Sequence, residues 1–171
     1  MNELKKDLFE CILDPEVDAI CIPTNGHYNR LGIAVMNGTC AKEAALRWPE
    51  IQIRLGKLLR AFGKNIPFVI GALNEEAKSL ELTTDLITDH QFKCLIFNFP
   101  TIHNLTKGPK VEIIKQSAII LMDYIKQYNL KKVILACPCA GIDELTWDDV
   151  KSEIKNILDD RVTVVSFDYE E

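Results

Sequence analysis

Short apolar runs alternate with amphipathic stretches along this chain, and this alternation is the feature that most restricts its fold. Runs of five to seven mostly apolar residues, bounded by turn residues, are typical of buried strands. Five such runs occur, at 18–22, 66–70, 92–97, 131–136 and 161–167. Because stretches long enough for helices separate several of them, the pattern predicts an α/β protein with a largely parallel sheet.

Helical periodicity fills most of the intervening sequence. Residues 40–48 and 51–62 predict two helices joined at Pro49, and residues 147–158 predict a third. The clearest helix spans 111–128, where apolar side chains recur on one side, as expected of a helix packed on a sheet. Residues 72–91 fit neither pattern.

Length, composition and charge restrict the class of protein further. The chain has 171 residues, of which 47% are hydrophobic, so it can bury a core, and we expect a single domain over 1–171. Its formal net charge of −5 argues against a positively charged surface that binds duplex nucleic acid. A local basic pocket is still compatible with this charge.

The sequence contains no feature that indicates a membrane segment or a metal centre. No apolar run reaches the roughly 18 residues of a membrane span, and the N-terminal residues lack a signal-peptide pattern, so we expect a cytoplasmic protein without membrane contact. Six cysteines are expected to be free thiols. Cys137 and Cys139 have metal-ligand spacing, but no second ligand pair accompanies them, and we expect neither a metal nor a cofactor.

Three loops follow predicted strands and are rich in small or polar residues: 23–38, 98–109 and 137–146. In a parallel sheet, ligands bind at the carboxyl ends of the strands, where these loops lie. The sequence therefore predicts a ligand site built from all three.

Four stretches within or beside these loops carry a family resemblance. They are Lys-Asp-Leu-Phe at 6–9, Pro-Thr-Asn-Gly at 23–26 followed by Gly-Ile-Ala-Val-Met at 32–36, Asn-Phe-Pro-Thr at 98–101, and Gly-Ile-Asp-Glu-Leu-Thr-Trp at 141–147 with Asp-Asp-Arg at 159–161 beyond. In this order they resemble the macro domain, an ADP-ribose-binding module, and within it the phage and bacterial branch of ADP-ribose-1''-phosphatases and terminal ADP-ribose glycohydrolases. The resemblance implies a three-layer α/β/α sandwich with a mixed, mostly parallel sheet.

The resemblance assigns an adenine-binding role to the first stretch. Asp7 matches an acidic residue that accepts a hydrogen bond from the adenine amino group, and Leu8 supplies the backbone beside it. The alternative is that Asp7 is a solvated charge on a frayed N-terminal segment.

The second stretch is implied to bind the distal ribose. Thr24 and Asn25 match the part of the family's first loop in which an asparagine amide bonds the ribose hydroxyls. Alternatively, Asn25 is a turn residue beside Gly26.

Two backbone segments are implied to approach the ligand. The first comprises Gly32, Ile33, Ala34 and Val35, and the second comprises Ala140, Gly141 and Ile142, whose N–H groups would surround the diphosphate. A plain strand-to-helix turn at 140–142 is the alternative.

The catalytic assignment falls on Asp143, assisted by Asn25. Asp143 matches an aspartate that assists cleavage at the distal ribose, the alternative being an exposed loop carboxylate. Thr101 matches the threonine of a Pro-Thr pair in the family. In the hydrolysing branch a nucleophilic lysine follows this pair, whereas Ile102 follows it here. His103, Lys107 and Lys110 are the nearby residues able to substitute for that lysine.

Three functional interpretations stay open at this point. The first is hydrolysis of the 1'' linkage in ADP-ribose-1''-phosphate or an ADP-ribosylated macromolecule, by attack of water. The second, favoured by Ile102, is binding of ADP-ribose or a related nucleotide without turnover. The third is a doubly wound nucleotide-binding or interaction protein whose likeness is coincidental. The first two imply a monomer that meets nucleic acid only where it carries ADP-ribose.

Overall fold

The computed structural model describes residues 1–74, 80–81, 92–102, 111–139 and 145–166. Within these ranges seven strands form one sheet. They are β1 (Asn2–Lys5), β2 (Ala19–Thr24), β3 (Val69–Leu73), β4 (Leu80–Glu81), β5 (Cys94–Pro100), β6 (Val133–Ala136) and β7 (Val162–Ser166).

The sheet is mixed and mostly parallel, as the resemblance predicted. Its strand order is β1-β7-β6-β2-β5-β3-β4. The pairs β1–β7, β7–β6, β6–β2 and β2–β5 are parallel, whereas β3 runs antiparallel to both β5 and β4. All seven residues of β5 are buried, because helices cover both faces of a central strand.

Five helices are described. They are α1 (Leu8–Cys11), α2 (Thr39–Arg47), α3 (Glu50–Phe62), α4 (Val111–Gln127) and α5 (Trp147–Ile154). Helices α2 and α3 meet at Pro49, which is the N-cap residue of α3. Thr146 is the N-cap residue of α5. Its hydroxyl accepts from the Asp149 N–H, and the Asp149 carboxylate accepts from the Thr146 N–H.

Two apolar clusters lie on opposite faces of the sheet. Side chains of α1, α2 and α3 pack with Ile20 and Ile22 of β2 on one face. Side chains of α4 and α5 pack with Ala19 and Cys21 of β2 on the other face. Because β2 alternates between the two clusters, the fold has three layers, α/β/α, which confirms the predicted architecture.

Strand β2 extends through a proline that the sequence predicted to end it. Pro23 pairs with Phe99 and Thr24 pairs with Pro100. The Thr24 carbonyl accepts from the Thr101 N–H and so faces β5, which leaves the nitrogen of Pro23 on the β6 side. Pairing with β6 ends at Cys21, so no ladder hydrogen bond is lost at Pro23.

The strand predicted over 66–70 is displaced along the chain. The observed strand begins at Val69 and passes through Gly71, with a register irregularity between these two residues. In the residues just before β3, the Asn98 side chain takes the place of hydrogen bonds between strand backbones. Its Oδ1 accepts from the Phe68 N–H at 2.7 Å, and its Nδ2 donates to the Ile66 carbonyl at 3.0 Å. Regular pairing therefore starts only after Phe68.

None of the described helices is long and apolar enough to cross a membrane.

The packing of α4 gives the first testable prediction. Leu121 is fully buried against the sheet, whereas Ile119, on the same helix, is 41% exposed. We expect Leu121→Ala to lower the free energy of unfolding by about 2–5 kcal/mol, because the cavity left behind cannot collapse. Ile119→Ala is the matched control and should change it by less than about 0.5 kcal/mol. Urea denaturation measures both, and equal effects would contradict the packing of α4.

Candidate functional site

A cavity of about 330 Å³ lies at the carboxyl ends of β2, β6 and β7. It opens where β2 and β6 part, since their pairing ends at Cys21 and Leu135 although both strands continue. Helices α1 and α2 close its other sides. The lining residues are Lys6, Asp7, Leu8, Phe9, Pro23, Gly38, Thr39, Cys40, Ala41, Glu43, Ala136, Cys137, Val165 and Ser166.

Asp7 lies on this cavity and also begins helix α1. Its Oδ1 accepts from the N–H groups of Phe9 at 2.6 Å and Glu10 at 3.2 Å, which makes Asp7 the N-cap residue. Because both bonds end on Oδ1, the helix cap does not engage the second carboxylate oxygen. Leu8 is buried beside it and lines the same cavity.

The first turn of α2 forms a second wall of the cavity. Its N-cap residue is Gly38, which has no side chain with which to cap the helix. The N–H groups of the first helical residues have no acceptor within the helix, and the N-terminal end of a helix favours negative charge. Thr39, Cys40 and Ala41 all line the cavity at this turn.

An aromatic cluster supports the wall between α1 and α2. The ring of Phe9 lies 6.0 Å from that of Trp48, and the Arg47 guanidinium carbon lies 4.6 Å from the centre of the Phe9 ring. Arg47 also donates to Glu43 Oε1 at 2.6 Å, and Glu43 lines the cavity. The guanidinium thus connects Phe9 to a carboxylate of the site.

Two thiols, Cys40 on the cavity wall and Cys139 in contact with Cys137, have raised pKa values. Burial, together with a smaller contribution from the nearby carboxylates of Asp7 and Glu43, raises the pKa of Cys40 to about 12. Cys137 Sγ and Cys139 Sγ lie 3.3 Å apart, and this contact, together with burial, raises the pKa of Cys139. Neither Cys40 nor Cys139 is a thiolate at neutral pH, so neither is an activated nucleophile.

Two predicted residues, Thr24 at the end of β2 and Thr101 directly after β5, contact each other. The Thr24 carbonyl accepts from the Thr101 N–H at 3.0 Å and from its hydroxyl at 3.4 Å. Asn25 Nδ2 donates to Asn37 Oδ1 at 3.2 Å, which ties it to the residue before Gly38. Thr24, Asn25 and Thr101 are not on the wall of the cavity, although Thr24 follows the lining residue Pro23 in the chain. Asn25 Oδ1 also accepts from the His27 N–H, as in a turn.

The structure places Gly32, Ile33, Ala34 and Val35 against helix α3 and not on the wall of this cavity. The Ala34 N–H donates to the Gln52 carbonyl at 3.0 Å. A Cβ added to Gly56 would lie 2.0 Å from the Gly32 carbonyl oxygen, so the loop and α3 touch through their backbones. The close approach at Gly32, which has a φ of 77°, is thus made to α3.

Several predicted residues lie outside the described part of the chain. These are Ala140, Gly141, Ile142 and Asp143, together with His103, Lys107 and Lys110. Ile102 is described and half-buried, and its carbonyl accepts from Asn65 Nδ2 at 2.8 Å.

Sequence reasoning missed several residues that border the cavity. Val165 and Ser166 of β7 reach the cavity because β7 pairs with β1, and β1 ends two residues before Asp7. Ala41 and Glu43 were assigned only to a helix, and Thr39 to no element. One signal in the sequence could have found them. Gly38, beside Asn37, marks the start of a helix at the end of the predicted loop 23–38.

Within the described residues, no group of three or more His, Cys, Asp or Glu side chains is placed to hold a metal ion.

A single sheet between two helical layers, with a cavity at the carboxyl ends of its strands, defines the class of protein as a three-layer α/β/α fold. No family model and no curated protein matches the sequence, but solved structures match the fold. The macrodomain of Thermus aquaticus DarG is 20% identical with a TM-score of 0.67, covering 99% of this chain and 97% of that one. The macrodomain of Mycobacterium tuberculosis DarG is 20% identical with a TM-score of 0.66, covering 96% and 95%.

A third structure, Thermosipho africanus DarTG in complex with ADP-ribose, is 15% identical with a TM-score of 0.69 and covers 99% of this chain and 42% of that one. The chain therefore has the macrodomain fold, which confirms the fold that its loop sequences predicted.

The pKa of Cys40 predicts slow alkylation. In the native protein at pH 8, iodoacetamide should modify Cys40 at least about a hundredfold more slowly than in the urea-unfolded protein, because thiolate is the reactive form. Peptide mapping by mass spectrometry separates Cys40 from the other thiols. A native rate equal to the unfolded rate would show that Cys40 is an accessible thiolate and a candidate nucleophile.

Proposed function

We propose that this protein binds ADP-ribose in the cavity between α1 and α2. The observation that carries the proposal is the position of Asp7 and the α2 terminus, in a macrodomain fold, on one cavity at the carboxyl edge of the sheet. A carboxylate recognises an amino group, and a helix N-terminus favours an anion, so the cavity offers partners for adenine and for diphosphate.

In this arrangement adenine lies beside Asp7. Oδ1 stays on the α1 cap, and the second carboxylate oxygen accepts a hydrogen bond from the adenine amino group. Leu8 contributes backbone at the same place, and Ser166 borders it from β7. The diphosphate would then contact the first turn of α2 and the N–H groups of Ala140, Gly141 and Ile142.

The distal ribose would occupy the region behind Pro23. Asn25 is buried, with 8% of its surface exposed. Its side-chain amide can both donate and accept hydrogen bonds, which suits the two hydroxyls of a ribose. The Thr24 hydroxyl is buried and has no hydrogen-bond partner among the described residues, and Thr101 adjoins it.

The finer proposal is hydrolysis of the 1'' linkage by water, in the phosphatase-like and glycohydrolase-like branch of the fold. Asp143 takes a proton from water while the hydroxyl bonds to C1'' and the bond from C1'' to the leaving oxygen breaks. The proton then passes to the leaving group, which is phosphate or the ADP-ribosylated macromolecule. Asn25 orients the ribose.

Ile102 favours a second candidate function, namely binding without turnover. Its side chain is a hydrocarbon without a lone pair, and its carbonyl is engaged by Asn65. In this candidate the protein captures ADP-ribose, or a nucleic acid or protein that carries it, as a monomer and releases it unchanged.

Calorimetric titration with ADP-ribose tests the binding proposal. Asp7→Asn keeps an oxygen for the α1 cap but turns an amide donor toward the adenine amine, so we expect at least about tenfold weaker binding with little loss of stability. Asp7→Ala should bind as weakly and also lower the free energy of unfolding by about 0.5–2 kcal/mol, because the cap is lost.

Asp14→Asn is the matched control, since Asp14 also accepts from a backbone N–H, that of Glu16, but pairs with Lys132 at the opposite edge of the sheet. It should leave the affinity unchanged. Wild-type protein that fails to bind millimolar ADP-ribose would overturn the proposal, and an Asp7→Asn variant with full affinity would overturn the adenine contact.

Turnover separates the two candidate functions. Incubation with ADP-ribose-1''-phosphate, followed by chromatography of the products, should show release of phosphate by the wild type and a loss of at least about a hundredfold in Asp143→Asn, with ADP-ribose affinity retained. Binding without any phosphate release would select the non-catalytic function. Activity equal to wild type in Asp143→Asn would exclude Asp143 as the base.

A further inference from the structure

Asn98 fixes the segment that leads into β3. It is fully buried on β5, and its amide holds both the Ile66 carbonyl and the Phe68 N–H. Because one rigid side chain makes both bonds, the backbone at 66–68 cannot shift relative to β5 without breaking one of them. The residue just before this segment, Asn65, is therefore held in a defined place.

Asn65 connects that segment to the end of β5. Its Nδ2 donates to the Ile102 carbonyl at 2.8 Å. Ile102 follows Thr101, whose own N–H bonds to the Thr24 carbonyl of β2. The Asn65 amide thus fixes the backbone immediately beyond the Thr24–Thr101 contact.

The same amide also contacts the loop that follows β2. Gly26 has a φ of 74°, and a Cβ added to it would lie 2.3 Å from both Cγ and Nδ2 of Asn65. A larger residue at 26 is therefore excluded by the Asn65 side chain as well as by its own backbone conformation. Since Gly26 follows Asn25, Asn65 borders residues adjoining both Asn25 and Thr101.

The amide is retained here although one of its atoms is unsatisfied. Asn65 Oδ1 is buried and has no hydrogen-bond partner among the described residues. This oxygen therefore adds no stability among the described residues, and the amide acts here through its Nδ2 donor and its contact with Gly26.

We propose that Asn65 is a positioning residue that sets the spacing between Asn25 and Thr101 and so orients the distal half of the bound ligand. This inference rests on the proposed function, in which these two residues receive the distal ribose. It assigns no contact between Asn65 and the ligand, and it leaves the adenine end, formed by Asp7 at α1, independent of Asn65.

Comparison of ADP-ribose with AMP tests the inference, because AMP lacks the distal ribose. Asn65→Asp keeps the shape of the side chain but cannot donate to the Ile102 carbonyl. We expect it to weaken ADP-ribose binding at least about tenfold and to change AMP binding less than about twofold, by calorimetry. Asn65→Ala, which also loses the donor, takes its place if Asn65→Asp does not fold.

Asn2→Asp is the matched control. Asn2 Nδ2 donates to the Asp160 carbonyl at 3.0 Å, so the same substitution removes the same kind of bond far from the cavity. It should leave both affinities unchanged. Equal losses for ADP-ribose and AMP in Asn65→Asp would overturn the positioning role, as would full affinity for ADP-ribose.

Amide hydrogen exchange tests the positioning without a ligand. The Thr101 N–H should exchange at least about tenfold faster in Asn65→Asp, while the Leu95 N–H, bonded to the Asp18 carbonyl at the other end of β5, should not change. Unchanged exchange at Thr101 would overturn the inference. If the wild type does not bind ADP-ribose, the proposed function fails, and this measurement still decides whether Asn65 fixes the strand end.

Discussion

The parting of β2 and β6 beyond Cys21 is the constraint on which the candidate site depends. A parallel ladder continued to the strand ends would fill this space with paired backbone. Pro23 turns a nitrogen without a hydrogen toward β6, so the ladder has no donor with which to continue there. The separated strand ends, together with the first turns of α1 and α2, then enclose a cavity. A single proline in a central strand thus lies where the two strands part and the cavity opens.

The sequence predicted those elements whose signal is local. Helix α4 was expected over 111–128 and is observed over Val111–Gln127, because its apolar stripe repeats over five turns. The strand predicted over 66–70 was misplaced, because its start is decided by the Asn98 side chain, which lies 30 residues further along the chain than Phe68. Likewise, no local pattern relates Ser166 to Asp7, which become neighbours through the pairing of β1 with β7. Of the residues predicted by resemblance, the structure places Asp7 and Leu8 on the cavity, and their position relative to Ser166 depends on sheet topology.

Asp7 shows why a structural and a functional interpretation of one residue need not compete. A carboxylate has two oxygens, and the cap of α1 uses only one of them. The cap also fixes the orientation of the side chain, which is what a recognition residue needs if its second oxygen is to meet an amino group at a defined angle. The solvated, frayed charge that the sequence allowed is replaced by an ordered one that stabilises α1.

The side-chain amides of Asn98 and Asn65 extend this argument to the residues around Asn25 and Thr101. Each takes over backbone partners where regular pairing stops, Asn98 ahead of β3 and Asn65 beyond β5. A ladder hydrogen bond fixes only neighbouring strands, whereas a side-chain amide reaches across to a loop and can hold it against a glycine such as Gly26. The irregular ends of β3 and β5 are therefore specified as closely as the regular sheet. Because these ends carry Thr101 and border Asn25, the side-chain amides that replace regular pairing also fix the backbone around these two residues.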